Sequence, residues 1–268
     1  MKQIGTIELK VVQMDVLSAI HRFCTAHNIK YSLGCGTMLG CARHKGYIPW
    51  DDDIDIYMLR KDYEKLVEEF PDTFEGRYKF VTMERDPKWN RAYGKAYDCT
   101  TVFKERTAEV YELGVNIDVF PIDFVPDNDV EWQKYDKVRR MLQHIYEMKV
   151  TTFRSGRSVP KNAFMALCKL LLLPFSSRYL AMRIQKMAMR FNTSPTSRVF
   201  ECCQGIFQKR PFSKLLFDSL TLLPFEDREY MAFSNYDAYL TNGYGNWRQM
   251  PPKDKRVSHH AFKAWWKE

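Results

Sequence analysis

The feature that most constrains the fold is the run IPWDDDIDIY at residues 48–57, where acidic residues alternate with residues that favour β-structure. Successive side chains on a strand point to opposite faces of the sheet. Asp53, Asp55 and Tyr57 would therefore share one face. The opposite face would be apolar and would carry Ile54, Ile56 and Met58. The run thus predicts a strand with one anionic and one apolar face.

This anionic face predicts a divalent-metal site. Two carboxylates at positions i and i+2 repel each other, and burying both is unfavourable unless a cation lies between them. Carboxylate oxygens are the ligands that Mg²⁺ or Mn²⁺ prefers. Asp53 and Asp55 are the predicted ligands, and a solvated acidic turn is the alternative. Asp51 lies two residues before Asp53, so it would share the face of Asp53 and is a candidate outer ligand. Asp52 is expected to face away.

A second predicted strand supplies a third carboxylate. Residues 115–120 read VNIDVF, an alternation that separates an apolar face from a face with Asn116 and Asp118. If this strand pairs beside the first, Asp118 joins Asp53 and Asp55 in a three-carboxylate cluster. An edge-strand carboxylate facing water is the alternative.

The order of the predicted elements gives an α/β (α+β) fold, with a mixed β-sheet flanked by helices and a mainly helical C-terminal half. Helices are predicted over residues 7–28, 38–43, 61–70, 130–151, 162–175 and 178–191. Besides the acidic strand, strands are predicted over residues 31–33, 78–83, 92–97, 101–103 and 115–120. Strand signals nearly disappear after Pro126. We expect residues 1–127 to form the catalytic core and residues 128–268 to pack with it as one continuous unit.

Candidate phosphate-binding groups lie close to the acidic strand in sequence. Gly36 and Thr37 belong to a glycine-flanked turn before a predicted helix, where backbone N–H groups can approach phosphate oxygens, and a plain turn is the alternative. Arg43 follows shortly after, and a solvated basic loop is its alternative. Lys95 lies within a predicted strand, and we expect it to contact phosphate or to pair with one of the site carboxylates.

The last part of the chain, residues 236–260, is rich in Tyr, Gly and Pro and is expected to be an ordered binding loop. Arg256 and His259 are three residues apart, so on a helix they would share a face and reach a phosphate or an acceptor hydroxyl. Trp50, Tyr244 and Trp247 are candidates for stacking on a base or sugar, with burial in the core as the alternative.

Charge and cysteine content restrict the partners. With 41 Lys and Arg against 33 Asp and Glu, the formal net charge of +8 favours anionic partners. No zinc-finger spacing or nucleic-acid-recognition motif is present, so nucleic acid is not expected.

The seven cysteines include no CxxC pair and the N-terminus lacks a signal-peptide pattern, which predicts a cytoplasmic location. Residues 154–190 mix apolar and basic side chains, which indicates either core helices or a surface that contacts the inner face of a membrane.

Residues 31–66, YSLGCGTMLGCARHKGYIPWDDDIDIYMLRKDYEKL, strongly resemble the opening block of the LicD family, which includes the fukutin-like phosphotransferases. Similar blocks follow in GVNIDVFPIDFVPD and in YDAYLTNGYGNWRQMPPKDKRVSHH. The family is built on a nucleotidyltransferase-type fold, in which a Gly-Gly or Gly-Ser turn precedes a pair of aspartates. Here Cys35 stands where glycine or another small residue is common.

The resemblance implies transfer of a phospho-alcohol, such as phosphocholine, from a CDP-linked donor such as CDP-choline, with release of CMP. The acceptor would be a hydroxyl of a glycan or of a lipid-linked glycan precursor. Asp53 and Asp55 would hold Mg²⁺ or Mn²⁺, and Asp118 would complete the metal site or accept the proton of the attacking hydroxyl. The resemblance also includes Arg256 and His259. A nucleotidyltransferase in the strict sense and a non-catalytic nucleotide- or glycan-binding domain are the alternatives.

Overall fold

The computed structural model describes residues 1–104, 111–153, 158–204, 210–257 and 263–267. The strands in these ranges are β1 (Gln3–Ile4), β2 (Ser32–Leu33), β3 (Asp55–Leu59), β4 (Tyr78–Val81), β5 (Gly94–Asp98), β6 (Thr101–Lys104), β7 (Asn116–Val125), β8 (Arg198–Phe200), β9 (Phe212–Ser213), β10 (Leu220–Phe225), β11 (Arg228–Phe233) and β12 (Lys263–Trp266). The helices are α1 (Thr6–Ala26), α2 (Cys35–His44), α3 (Arg60–Glu69), α4 (Asp129–Val150), α5 (Val159–Leu171), α6 (Ser177–Ala188) and α7 (Tyr236–Tyr244).

The main sheet has the order β2-β3-β7-β5-β4, and β8 and β9 extend it from the second half of β7. β3 and β7 are parallel, whereas the other neighbouring strands of this sheet are antiparallel. A separate three-stranded sheet has the order β1-β12-β6, and β10 and β11 form a hairpin. The predicted fold class, a mixed α/β chain with helices around a mixed sheet, is confirmed.

Helix α1 covers the centre of the main sheet. Its apolar residues recur at helical spacing and are buried, among them Leu9, Val12, Leu17 and Ile20, and the helix packs against β5 and β7. Ile54 and Ile56 are fully buried, and so is Tyr57 on the other face of β3. Because both faces of β3 are covered, the carboxylate that it carries lies in an interior rather than on a wetted surface.

Two local predictions around the acidic strand need correction. β3 begins at Asp55, so Asp53 lies two residues before the strand and not within it. Helix α2 begins at Cys35, three residues before the predicted start, which places Gly36 and Thr37 in its first turn. Cys35 has a φ of +41°, a conformation unfavourable for a residue with a side chain. Hydrogen bonds to Tyr239 and Tyr57 hold it there.

The C-terminal half contains strands that the sequence analysis missed. Hairpin β10–β11 turns at Glu226 and Asp227, which lack the Asn-Gly or Gly signal of a two-residue turn. Glu226 adopts a φ of +55°. Its N–H donates to Lys45 O at 2.8 Å, and its Oε1 accepts from Tyr47 N at 2.8 Å. The predicted loop over residues 236–260 also begins with an ordered helix, α7.

One hydrophobic cluster of buried residues extends from Met14 to Trp247 and so includes side chains from both halves of the chain. A smaller cluster of five residues forms where α1 meets β12. In the ranges that the structure describes, none of the helices has both the length and the apolar character needed to cross a bilayer.

Candidate active site

The centre of the main sheet brings three charged residues into one row across neighbouring strands. β3 and β7 pair with Asp55 opposite Asp118, and β5 and β7 pair with Lys95 opposite Asp118. Lys95 Nζ lies 2.7 Å from Asp118 Oδ1 and donates a 2.9 Å hydrogen bond to Asn116 Oδ1. We call Asp55, Asp118 and Lys95 the acidic row. The two strands predicted to carry carboxylates therefore do pair, with these carboxylates in register.

The acidic row lies in a strongly anionic environment. Burial raises the pKa of Asp55 well above its usual range, and the charges of Asp53, Asp118 and Asp51 raise it further. The ammonium group of Lys95 acts in the opposite direction. Since the charges of three carboxylates act on one buried carboxyl group, an added cation would be stabilised here.

The donor chemistry fits a hard divalent cation, although the ligands are not assembled around a common point. Among the residues that the structure describes, no three Asp, Glu, His or Cys side chains are grouped as metal ligands. One oxygen of Asp118 contacts Lys95. The carboxylate oxygens of Asp53, Asp55 and Asp118 are the ligand type that Mg²⁺ or Mn²⁺ prefers. The assignment of Asp53, Asp55 and Asp118 as metal ligands stays a prediction.

Lys95 pairs with a site carboxylate, one of the two roles predicted for it, and its contact with phosphate stays a prediction. The side chain is buried, and its ammonium group binds both Asp118 and Asn116 on β7. A cation inside a strand needs such partners because removing it from water unpaired is costly. Lys95 therefore fixes the position of Asp118 from the β5 side.

The first turn of α2 is fixed against residues 51–55, which we call the acidic segment. The hydroxyl oxygen of Thr37 accepts a 2.8 Å hydrogen bond from Asp55 N, and Gly34 N donates a 2.9 Å bond to Asp55 O. A Cβ at Gly36 would lie 2.8 Å from Asp51 Oδ2, closer than carbon and oxygen approach without a bond. A side chain at position 36 would therefore displace the Asp51 carboxylate. Gly36 and Thr37 thus position the acidic segment next to a helix N-terminus, where negative charge is stabilised.

Arg43 and Arg256 come from distant parts of the chain and influence each other. Arg43 Nη1 donates to Trp247 O at 3.2 Å. Burial lowers the pKa of Arg43, and the charge of Arg256 lowers it further, while Tyr244 opposes this shift. The guanidinium group of Arg256 lies 5.6 Å from the ring centroid of Trp50, the residue before Asp51. A basic edge therefore lies beside the start of the acidic segment.

The predicted helical pairing of Arg256 and His259 is not observed. Arg256 follows the 3₁₀ turn Lys253–Lys255, and its own backbone is not helical. Its Nε donates to Pro251 O at 2.9 Å. His259 lies outside the described residues, so its role stays a prediction.

The aromatic candidates divide into buried and accessible residues. Trp247 is buried and its Nε1 donates to Asp237 Oδ1 at 2.9 Å, which is a packing role. Trp50 is half-buried beneath Arg256. Tyr244 is 38% exposed, yet burial of its hydroxyl raises its pKa, and Cys35, Tyr239, Asp55 and Asp51 raise it further. Tyr244 is thus partly accessible, and the charges of Asp55 and Asp51 act on its hydroxyl.

Sequence reasoning missed Gln13, which joins the two acid-bearing segments. Gln13 Nε2 donates to Asp52 O at 2.9 Å and to Asn116 O at 3.3 Å. The sequence feature that could have indicated Gln13 is its position, four residues after Leu9 and four before Leu17, which places a polar side chain on the buried face of α1. Tyr239 was also missed. Its hydroxyl accepts from Cys35 N at 3.0 Å and supports the first turn of α2.

A cavity of about 1200 Å³ lies elsewhere in the molecule, beside α4 and α5. Trp132, Met141, Leu171 and Arg198 are among the residues that line it, and no residue of the acidic row does. We therefore base the catalytic assignment on the acidic row and not on cavity size.

Comparison with known proteins agrees with this architecture. Residues 28–162 match LicD/FKTN/FKRP, nucleotidyltransferase domain, which is half of the chain and contains the whole acidic row. The chain belongs to this LicD/FKTN/FKRP family. It is 29% identical over 274 residues to "Lipopolysaccharide cholinephosphotransferase LicD" of Haemophilus influenzae (strain ATCC 51907 / DSM 11121 / KW20 / Rd), and the match covers 99% of each chain. It is also 34% identical over 116 residues to "Uncharacterized protein RP689" of Rickettsia prowazekii (strain Madrid E), covering 43% of this chain and 42% of that one.

Proposed function

We propose that this chain is a metal-dependent phosphotransferase that moves phosphocholine, or a similar phospho-alcohol, from a CDP-linked donor to a glycan hydroxyl and releases CMP. The acceptor is a cell-surface glycan or its lipid-linked precursor. The choice of phosphocholine rests on the Haemophilus relative, whose name states this activity. The observation that carries the proposal is the pair Asp55 and Asp118, in register on parallel strands, in a chain that aligns end to end with that relative.

The chemistry matches what the site offers. Phosphoryl transfer requires neutralisation of charge on the transferred group and in-line positioning of the attacking oxygen. Asp53, Asp55 and Asp118 would hold Mg²⁺ or Mn²⁺, and the ion would supply that neutralisation. Arg43 and Arg256 provide fixed positive charge beside the acidic segment, suited to the phosphate of the departing CMP.

Asp118 has a second candidate role, as acceptor of the proton from the attacking hydroxyl. Lys95 and Asn116 restrict the movement of this part of β7, because one ammonium group contacts both side chains. A carboxylate held in this way is positioned for either role. The proposed location is the cytoplasm, because free cysteines are stable in a reducing compartment.

A product analysis tests the proposal. The protein is incubated with Mg²⁺, an acceptor glycan and CDP-choline labelled separately in the cytidine and the choline. Free CMP together with choline on the acceptor supports the phosphotransferase. Cytidine on the acceptor would instead establish a nucleotidyltransferase. Absence of turnover with every member of a panel of CDP-alcohols, in Mg²⁺ and in Mn²⁺, would leave a non-catalytic binding domain.

The Asp55→Asn variant connects this activity to the site. Loss of one carboxylate from the row is expected to lower turnover by roughly a hundredfold or more. The variant should remain folded, because burial already favours an uncharged group at this position. Asp72→Asn is the matched control, since the Asp72 side chain is fully exposed. Equal turnover in the two variants would contradict the assignment.

A further inference from the structure

Helix α5 exposes its apolar side chains instead of burying them. Phe164, Leu167, Leu170 and Leu171 are between 54% and 67% exposed, and their spacing of three and four residues places them on one face of the helix. Met165 is buried on the opposite side. Helices on the surface of a globular protein normally have the reverse arrangement. The expectation that these apolar residues form a core is therefore wrong for this face.

The exposed apolar surface continues beyond the end of α5. Leu173 and Phe175 are exposed in the connection to α6, and Met182 is exposed on α6 itself. The rings of Phe175 and Tyr179 stack with their centroids 5.7 Å apart, which links the connection to the first turn of α6. Contiguous exposed apolar surface of this kind marks an interaction site more often than chance exposure.

This surface is held on a fixed support. Lys169 Nζ donates to Lys149 O at 2.9 Å, and Lys149 Nζ donates to Leu172 O at 3.1 Å, which joins the C-terminal ends of α4 and α5. α6 buries Leu180 and Ile184 and packs on α4 as well. Both helices thus present their outer faces from the same support, α4.

The charge of this part of the chain selects the partner. Residues 148–200 contain ten Lys and Arg and no Asp or Glu. The rest of the chain has 31 basic and 33 acidic residues, a net charge of −2, so the whole positive excess of the chain comes from this segment. Arg183 and Lys186 on α6 and Arg190 in the 3₁₀ turn that follows it are exposed. Two of the ten, Arg154 and Arg157, lie outside the described residues.

We propose that this α5–α6 surface docks on an anionic phospholipid bilayer. The surface consists of the apolar residues Phe164, Leu167, Leu170, Leu171, Leu173, Phe175 and Met182 and the basic residues Arg183, Lys186 and Arg190. The apolar side chains enter the boundary between headgroups and acyl chains, while the basic ones contact anionic headgroups. A protein partner of mixed charge would leave the unbroken positive excess unmatched. The inference goes beyond the proposed reaction and does not depend on it.

Vesicle flotation tests the proposal with the full chain and no substrate. Vesicles of phosphatidylcholine alone are compared with vesicles that also contain phosphatidylglycerol, in low and in high salt. We expect binding to the anionic vesicles only, and its loss in high salt because the headgroup attraction is screened. The triple variant Arg183→Gln, Lys186→Gln, Arg190→Gln is expected to weaken binding about a hundredfold, at roughly 1 kcal/mol for each charge near the surface. Lys30→Gln, Lys61→Gln, Lys88→Gln is the matched control, since these lysines are exposed and lie outside residues 148–200.

A second variant tests the apolar half of the surface. Leu167→Glu with Leu170→Glu should abolish flotation, whereas Leu215→Glu, at an exposed leucine outside the segment, should leave it unchanged. Failure of the unaltered protein to float with anionic vesicles in low salt would overturn the proposal whatever the variants do. So would a concentration-dependent dimer in sedimentation velocity that Leu167→Glu with Leu170→Glu dissociates, because the surface would then be covered by a second copy of the chain.

Discussion

Lys95 is a buried cation with both of its contacts described here on one neighbouring strand. Asp118 and Asn116 of β7 receive its ammonium group at 2.7 and 2.9 Å. The lysine also opposes the charge that raises the pKa of Asp55. Its removal therefore has two effects of opposite direction, one on folding and one on cation binding.

We predict that Lys95→Met lowers the free energy of unfolding by about 1–3 kcal/mol, because polar groups on β7 lose their partner. The same change increases the negative charge of the site, so Mg²⁺ should stabilise the variant more than it stabilises the unaltered protein. Urea unfolding with and without Mg²⁺ measures both effects. Lys88→Met serves as control because Lys88 is exposed. If Mg²⁺ stabilises Lys95→Met less than the unaltered protein, the cation site is assigned to the wrong carboxylates.

Single residues could be predicted from the sequence where a short pattern determines their position. Alternation along two strands singled out Asp55 and Asp118, because a period of two residues fixes which side chains share a face. Gln13 was not predictable as a bridge, since its two acceptors, Asp52 O and Asn116 O, come together only in the folded chain. Lys95 lies between these cases, because its strand was predicted but not its choice of partner.

At the scale of elements, a buried ion pair joins α3 to β7. Arg60 Nε and Nη2 donate to the two carboxylate oxygens of Asp123 at 2.8 and 2.7 Å, and Asn192 Nδ2 donates to Asp123 Oδ1 at 2.6 Å. Asp123 is fully buried. This pair fixes α3 against the same strand that carries Asp118.

We predict that Arg60→Leu lowers the free energy of unfolding by about 3–5 kcal/mol, because it leaves a buried carboxylate without its cation. Urea denaturation measures the loss. Arg22→Leu, which breaks the exposed pair with Glu75, should cost less than about 1 kcal/mol. The double variant Arg60→Leu, Asp123→Leu should recover part of the loss. Equal losses for Arg60→Leu and Arg22→Leu would show that the buried pair does not hold α3 to β7.

Gly114 is required where the chain enters β7. A Cβ at this position would lie 1.8 Å from Asp98 O and 2.8 Å from Thr101 Oγ1, and the nearer atom belongs to the backbone. We predict that Gly114→Ala lowers the free energy of unfolding by about 2–3 kcal/mol through overpacking. Gly5→Ala is the control, since no atom lies within 4 Å of the Cβ it would add. Thermal unfolding measures both variants. If Gly114→Ala lowers the free energy of unfolding no more than Gly5→Ala does, the backbone around Gly114 shifts to accommodate the added Cβ at little energetic cost.

The elements themselves were predictable to the extent that their pattern was local. The predicted helix over residues 130–151 appears as Asp129–Val150, because its apolar spacing is a local pattern. Hairpin β10–β11 was missed, because contacts from Lys45 and Tyr47 stabilise its turn instead of a glycine. The local sequence of the hairpin does not reveal contacts from residues that are about 180 positions away.

For the whole molecule, the proposed function predicts that metal and donor stabilise the fold together. A ligand at a hundred times its dissociation constant stabilises the folded state by about 2.7 kcal/mol. We expect CDP-choline with Mg²⁺ to raise the melting temperature by several degrees, and CDP-choline alone to raise it little. Differential scanning fluorimetry measures this, with Asp55→Asn as the variant that should lose the joint effect. An equal shift with and without Mg²⁺ would favour a binding domain that needs no metal.

The arrangement of distant segments was the part least accessible to sequence reasoning. Arg43, Tyr239 and Arg256 converge near the acidic segment from both ends of the chain. The resemblance had indicated that both ends matter, without giving their contacts. The apolar spacing of α5 predicts burial equally well whether the face meets a core or, as here, remains exposed, because periodicity does not identify what covers a face.

The order in which strands pair has a consequence for how a nascent chain acquires its site. Asp55 and Asp118 are 63 positions apart, whereas Lys95 and Asp118 are 23 apart. Contacts between closer positions form at a smaller entropic cost, so β5 and β7 should pair before β7 reaches β3. Asp55 would then arrive beside an Asp118 that is already paired with Lys95, and this pairing would reduce the repulsion between the two aspartates.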